Sequence, residues 1–186
     1  SSMRSLVKYL PVSLAILFLV FFAFLLSSCT GIPKGVQPVE NFDIARYAGK
    51  WYEIARLDHR FEKGLSNTSA TYTLRTDGGI DVLNRGYDRK KSVWKEASGK
   101  GYFAGDRAVG CLKVSFFPPF YASYNVIALD REDYSYAMVC GPNRGYLWIL
   151  SRTPSLDRKV VDDLVRYAAD KGFPVSELVF PEQDMP

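Results

Sequence analysis

The chain has 186 residues, 47% hydrophobic and 15% aromatic, with a formal charge of +4, which describes one globular domain with enough apolar matter to bury a core. Leaving aside Arg4 and Lys8, which head a removable leader, 22 basic residues face 20 acidic ones. A net charge of +2 without a basic run excludes nucleic acid as the main partner, and 12 Tyr, 12 Phe and 3 Trp suit an apolar pocket better than a charged groove.

From the N-terminus, Met3 reads as the natural start, with Ser1-Ser2 added before it. Arg4 and Lys8 precede V-S-L-A-I-L-F-L-V-F-F-A-F-L-L, residues 12–26, a stretch without a charge. A membrane-spanning helix needs about 20 apolar residues. A basic head, a shorter apolar run and then small residues describe a secretory signal. The run ends in Leu26-Ser27-Ser28-Cys29, which resembles the bacterial lipobox: an aliphatic residue, two small ones and a cysteine. The resemblance implies cleavage before Cys29 and palmitate-type acylation there, and Thr30 in place of Asp implies sorting to the outer membrane. The chain is therefore expected to divide into a signal peptide (1–28), a lipidated tether (29–38) and a folded domain (39–186). Gly and Pro in G-I-P-K-G-V-Q-P keep the tether irregular.

The domain shows short alternating segments with turn signals between them, the pattern of an antiparallel sandwich or barrel. Strands are expected near 50–58, 68–76, 79–86, 92–103, 109–117, 122–130, 134–140 and 145–152. Thr76-Asp77-Gly78-Gly79 has a hairpin composition between the second and third. Eight strands close an up-and-down barrel just wide enough for one small ligand, and closure removes exposed edges. After the eighth strand, R-T-P-S-L-D-R-K-V-V-D-D-L-V-R-Y-A-A-D-K-G predicts one amphipathic helix packed outside the barrel. Ser155 is the expected N-cap, with Asp157 in the first turn, a stripe of Val160, Val161, Leu164, Val165 and Ala168, and Gly172 as the stop.

Two motifs carry a family resemblance. Gly49-Lys50-Trp51-Tyr52-Glu53 resembles the Gly-x-Trp signature of the first lipocalin strand. Tyr146 to Pro154 (Y-L-W-I-L-S-R-T-P) resembles the end of the eighth, with the arginine that stacks on that tryptophan. W-Y-E-I-A-R, L-K-V-S-F-F, Y-N-V-I-A-L-D and L-W-I-L-S-R extend the likeness, toward bacterial outer-membrane lipocalins and apolipoprotein D. Where the family's middle signature has Thr-Asp-Tyr or a variant, this chain has Asn143-Arg144-Gly145-Tyr146, so the loop before strand eight is expected to differ. The resemblance implies a barrel base of Gly49, Trp51 and Arg152, the guanidinium over the indole giving about 0.5–2 kcal/mol.

Alternation along each strand then names the ligand-lining faces. With Trp51 inward, Glu53, Ala55 and Leu57 follow; with Arg152 inward, Leu150, Trp148 and Tyr146 follow. The other strands offer Ala70, Tyr72 and Leu74; Val82 and Asn84; Leu112, Val114 and Phe116; Tyr124, Val126 and Ala128; and Ala137 and Val139. This apolar, aromatic lining suits an acyl chain. Ala55, Ala70, Ala128 and Ala137, with Gly99 and Gly101, are read as making room for it. Glu53 is the odd member, because a buried carboxylate is costly unless paired. The run from Phe116 to Tyr121 (F-F-P-P-F-Y) sits at the open end, suited to a bilayer interface, a ligand's exposed half or a homodimer contact.

His59, the only histidine, lies beside Asp58 and Glu62 and raises the question of catalysis. These residues fall where the first strand runs into a mouth loop, and G-x-S-x-G, H-E-x-x-H and phosphate loops are missing from the sequence. One histidine with scattered cysteines does not make a zinc site. His59 is read as a rim residue, with no cofactor, no metal and no catalytic residue expected. Cys111 and Cys140 are expected to be free, outward-facing thiols at opposite barrel ends, beyond the roughly 7 Å Cα limit for a disulfide. The expected function is an outer-membrane-anchored lipocalin that binds a fatty acid or lysophospholipid for lipid storage or transport in envelope maintenance. The alternatives are a small lipid-modifying enzyme using the barrel as its substrate pocket, and a filled-barrel envelope scaffold.

Overall fold

The computed structural model describes residues 31–185. The expected signal peptide and Cys29 lie outside them. A single helical turn, α1 (Ile44–Tyr47), leads into β1 (Gly49–Leu57), β2 (Leu65–Leu74), β3 (Ile80–Asp88), β4 (Val93–Phe103), β5 (Cys111–Phe117), β6 (Phe120–Leu129), β7 (Tyr136–Cys140) and β8 (Leu147–Ser151). Each strand pairs antiparallel with the next, and β1 pairs with both β2 and β8, so the sheet closes into an eight-stranded up-and-down barrel. A two-residue strand, β9 (Leu178–Val179), adds to β1 at Arg56 and Leu57. All eight expected strands form, and the turn between β2 and β3 reverses at Gly78, whose φ of 84° needs a glycine.

The strand register slips at four places, two of them in β2 and β5, and the other two, in β1 and β6, turn residues read as lining to the other face. In β1 the register against β8 slips between Glu53 and Ala55, and in β6 the register against β7 slips between Val126 and Ala128. An inserted residue moves every later side chain to the opposite face. Ala55 and Leu57, expected to line the cup, therefore face outward, as does Ala128. Arg56 takes the inward position instead and is 1% exposed. Gly99 and Gly101 leave no room for a ligand either. A Cβ on Gly99 would lie 2.6 Å from the Ser115 carbonyl and 2.9 Å from the Phe116 ring, and one on Gly101 would lie 2.8 Å from Ile80.

The barrel wall separates two cores. Inside, Trp51, Tyr72, Ile80, Val82, Leu112, Val126, Ala137, Val139 and Leu150 pack with Val39, Phe42 and Tyr47 from the segment before β1. Outside, Ala55, Leu57, Ile127, Met138, Leu147 and Ile149 receive Leu164 and Ala168 of α2 (Arg158–Asp170). The N-cap of α2 is Asp157, not Ser155: its carboxylate accepts from the backbone N–H groups of Lys159 and Val160, the bonds that orphan donors of a first turn require. Gly172, at φ 85°, ends it, with Phe173 N–H donating to Ala168 and Gly172 N–H to Ala169, the paired bonds of a glycine-terminated helix.

Cys111 and Cys140 are free, but they are not at opposite ends. Both pair with Asn125 of β6, one from each side. Strand stagger in a tilted barrel brings the start of β5 level with the end of β7. Two strand spacings, roughly 10 Å, keep the thiols apart.

The chain ends are structural members. Val39 inserts between Gly110 and Val126 through backbone bonds of 2.8 Å. At the other end, β1 and β2 pair only over Gly49–Tyr52, and the C-terminal tail closes the seam above that. Gln183 Nε2 donates to the carbonyls of Glu53 and Thr68, both at 2.9 Å, and Asn67 Oδ1 accepts from the N–H groups of Asp184 and Met185, also at 2.9 Å. Asn67→Ala removes the acceptor of these two part-buried bonds and is expected to cost about 0.5–1.5 kcal/mol, read as a lower urea midpoint at unchanged m-value; an unaltered midpoint would show that the tail does not hold the seam.

Candidate functional site

At the narrow end, β1 places Trp51 inside the barrel with no exposed surface. Its Nε1–H donates to the Tyr47 carbonyl at 2.8 Å, and the Arg152 guanidinium lies 3.8 Å from the indole centroid. Arg152 also donates to the carbonyls of Tyr134, Lys50, Arg46 and Tyr47. One planar cation thereby satisfies backbone oxygens of the segment entering β1 and of the β6–β7 loop and caps the ring. Gly49 has φ 104°, and a Cβ there would lie 3.2 Å from Arg152 Nη1, so the base needs a glycine at that point.

Above this floor, three phenols form a chain. The Tyr124 hydroxyl is 2.6 Å from that of Tyr47 and 2.8 Å from that of Tyr72. Burial raises the pKa of all three, so they stay neutral and act as hydrogen-bond groups. Val82, Leu112, Val126, Ala137 and Val139 are sealed around them. Ala70, Val114, Phe116, Tyr124 and Trp148 also belong to the inner cluster but keep uncovered surface; Asn84, on the same face of β3 as Val82, is half-buried. The sealed and the half-buried residues share the inward face, with Leu112 beside Tyr124 and Val139 beside Trp148.

Toward the mouth the lumen becomes polar. Arg56, turned inward by the bulge, donates through Nη1 to Glu53 Oε1 and through Nε to Asp58 Oδ1, each at 3.0 Å. Its Nη2 donates to the carbonyls of Glu62 and Leu65. Trp148 Nε1–H donates to Glu62 Oε2 at 3.1 Å. Burial, and then the neighbouring Glu62 charge, hold the Glu53 carboxyl well above its ordinary range against the pull of Arg56. Burial also disfavours the charged Arg56, but its acidic partners outweigh that and raise its pKa, so it stays ionised.

His59 sits on the lip. Its ring stacks 4.0 Å from that of Tyr146, and Nε2 donates to the Gly145 carbonyl at 2.6 Å. Asp58 is committed to Arg56 and Glu62 to Trp148, so the charged cluster around His59 ties the β1–β2 loop to the β7–β8 turn. Arg144 of the β7–β8 turn donates to the carbonyls of Lys34 and Lys171 at 2.6 and 2.7 Å and clamps that turn to the N-terminal segment and the end of α2. Among the described residues no cluster of three or more His, Cys, Asp or Glu is placed to hold a metal. A groove of about 500 Å³ lies outside the barrel, between Ile54, Leu156, Val161 and Phe180, and is separate from the lumen.

Sequence reasoning missed Arg56, Tyr47 and the inward role of Glu62. Glu53 and Arg56 are three apart, which in a regular strand means opposite faces, so only the bulge unites them. Tyr47 lies in a single helical turn too short to show periodicity.

Residues 42–183 match the family model described as a lipocalin-like domain. The chain is 53% identical to the outer membrane lipoprotein Blc of Vibrio cholerae over 167 residues, covering 90% of this chain and 98% of that protein. It is likewise 53% identical to Blc of Escherichia coli K12, over 87% and 92%. Apolipoprotein D of Mus musculus is 30% identical over 77% and 78%. Among solved structures, insecticyanin from the tobacco hornworm superposes with a TM-score of 0.62 at 22% identity, over 84% of this chain and 88% of that one.

A folded-state pKa above the unfolded one means that the unfolded chain loses its proton first as pH rises. The stability from a neutral Glu53 is therefore complete below the unfolded carboxyl pKa and is lost as pH climbs through the raised value. Glu53→Gln keeps an acceptor for Arg56 and cannot ionise. The thermal midpoint of the parent is expected to fall relative to that of the variant as pH rises above the ordinary carboxyl range; parallel curves would mean that Glu53 is ionised at no cost.

Proposed function

The chain belongs to the lipocalin family, and on that premise we propose that it binds a fatty acid or lysophospholipid in the barrel lumen and is anchored to the outer membrane through acylated Cys29. The observation that carries this reading is the set of inward faces that stay only partly buried, at Ala70, Val114, Phe116, Tyr124 and Trp148. An acyl chain is the kind of molecule that such a lining accepts. The ring of Arg56, Glu53 and Glu62 near the opening suits the polar end of an amphiphile, which would otherwise lose its hydration without replacement. The curated relatives are named as outer membrane lipoproteins, which supports the anchor and the envelope setting.

Binding rather than turnover is the proposed mode of action. The side chains that resemble an acid–base set are each spent on structure: Asp58 and Glu53 on Arg56, Glu62 on Trp148, His59 on Gly145 and Tyr146. A general base must reach the proton it abstracts, and His59 points across the lip. Storage and delivery of lipid for envelope maintenance is the role that follows.

Native mass spectrometry of the purified protein is expected to show co-purified fatty acid or lysophospholipid in one-to-one complex. Val114→Trp fills uncovered lumen and is expected to weaken oleate binding at least about tenfold, or 1.4 kcal/mol, with the fold intact by circular dichroism. A protein that carries no lipid and ignores added oleate and lysophospholipid would overturn the reading, and hydrolysis of lysophospholipid that disappears in His59→Ala would replace it with the enzyme.

A further inference from the structure

The open end of the barrel carries exposed side chains that the lumen does not explain. Phe61 on the β1–β2 loop is 63% exposed, and Phe117 and Phe120, which flank the β5–β6 turn, are 80% and 64% exposed. Three phenyl rings held in water, on loops that face each other across the same rim, are the kind of exposed apolar groups that mark an interaction surface. Arg60, Lys63, Lys90 and Lys91 stand exposed on the same end of the barrel. They form no ion pair with any described residue.

The start of the described chain lies at this same end. The carbonyl of Gly31 accepts from Asn125 Nδ2 at 3.1 Å, and Lys34 is held by Arg144 of the β7–β8 turn. That turn belongs to the open end, because Trp148 pairs there with Arg56, near the mouth end of β1. Cys29 precedes Gly31 by two residues, a reach of at most roughly 7 Å. A lipid on Cys29 thus leaves the protein beside the mouth and not beside the closed base.

We propose that the open end of the barrel docks on an anionic phospholipid bilayer, with Phe61, Phe117 and Phe120 in the interface and the basic loop residues against phosphate headgroups. The orientation rests on the reading of Cys29 as the anchor: a barrel tethered beside its mouth presents that mouth to the membrane. Aromatic rings settle at the boundary between headgroups and acyl chains, and lysine and arginine near an anionic surface add attraction that salt screens. The lumen then opens onto the lipids, and an acyl chain passes between bilayer and cup without crossing water.

The mature, acylated protein with Trp94→Phe, which removes an indole on the outer wall, is mixed with vesicles of phosphatidylethanolamine and phosphatidylglycerol bearing brominated acyl chains. The indole added by Phe117→Trp is expected to lose most of its fluorescence, and one added by Leu83→Trp on the outer wall to lose little. Flotation with the vesicles, read on the same samples, reports on the anchor separately. Protein that floats with both indoles equally quenched or equally bright overturns the docking and leaves the anchor standing; protein that does not float overturns both. Shielding of the Phe117→Trp indole without vesicles would show that a second copy covers the rim, and would also overturn the docking.

Discussion

The cup depends on the closure of its narrow end, and Arg152 makes that closure. A guanidinium lying flat on the Trp51 indole and donating to four backbone carbonyls joins the last strand to the first strand and to α1. The bonds to Lys50 and Arg46 lie at the surface and those to Tyr134 and Tyr47 are part-buried, so the last two gain most from the guanidinium. Lysine cannot substitute, since it lacks the planar fork that serves several acceptors while stacking on a ring. The phenol chain of Tyr47, Tyr124 and Tyr72 rests on this base.

The second determinant is the pair of bulges. Without the slip after Glu53, Ala55 and Leu57 would line the lumen and Arg56 would face α2. With it, the upper lumen gains a buried cation and three acidic partners, and the outer face gains apolar side chains that receive the helix. One extra residue in β1 thus divides the cup into an apolar bottom and a polar collar. The slip in β6 sends Ala128 outward to the same helix-facing core. The tail segment around Gln183 and Asp184 then closes the seam that β1 and β2 leave beside the collar.

Much of the fold was legible because barrel strands alternate and turn residues interrupt them at even intervals. Trp51 and Arg152 stand out because their residue types and their places in the first and last strands are both specific. Parity put Val82, Leu112, Val126, Ala137 and Val139 on the inward face, where they are buried in the inner cluster. It failed at Ala55 and Leu57 because no local residue announces a bulge: Ile54 is an ordinary strand residue. It misjudged Gly99 and Gly101 because a glycine makes space without showing whether a neighbour such as Phe116 takes it. The positions of Cys111 and Cys140 went wrong because strand stagger is a property of closure and not of any one strand. The Asp157 cap was missed by two residues for a simple reason: several polar candidates precede the helix, and only the geometry selects one.

The central claim is that the uncovered lumen around Trp148 accepts an acyl chain. Titrating the Trp94→Phe protein with a fatty acid brominated at mid-chain tests it most directly, because Trp148 lines the cup while Trp51 is sealed in its floor. Saturable quenching at one equivalent, abolished by an excess of unbrominated oleate, is the predicted result. Fluorescence that stays unchanged, or falls without saturating, would mean that the barrel is filled and carries no lipid.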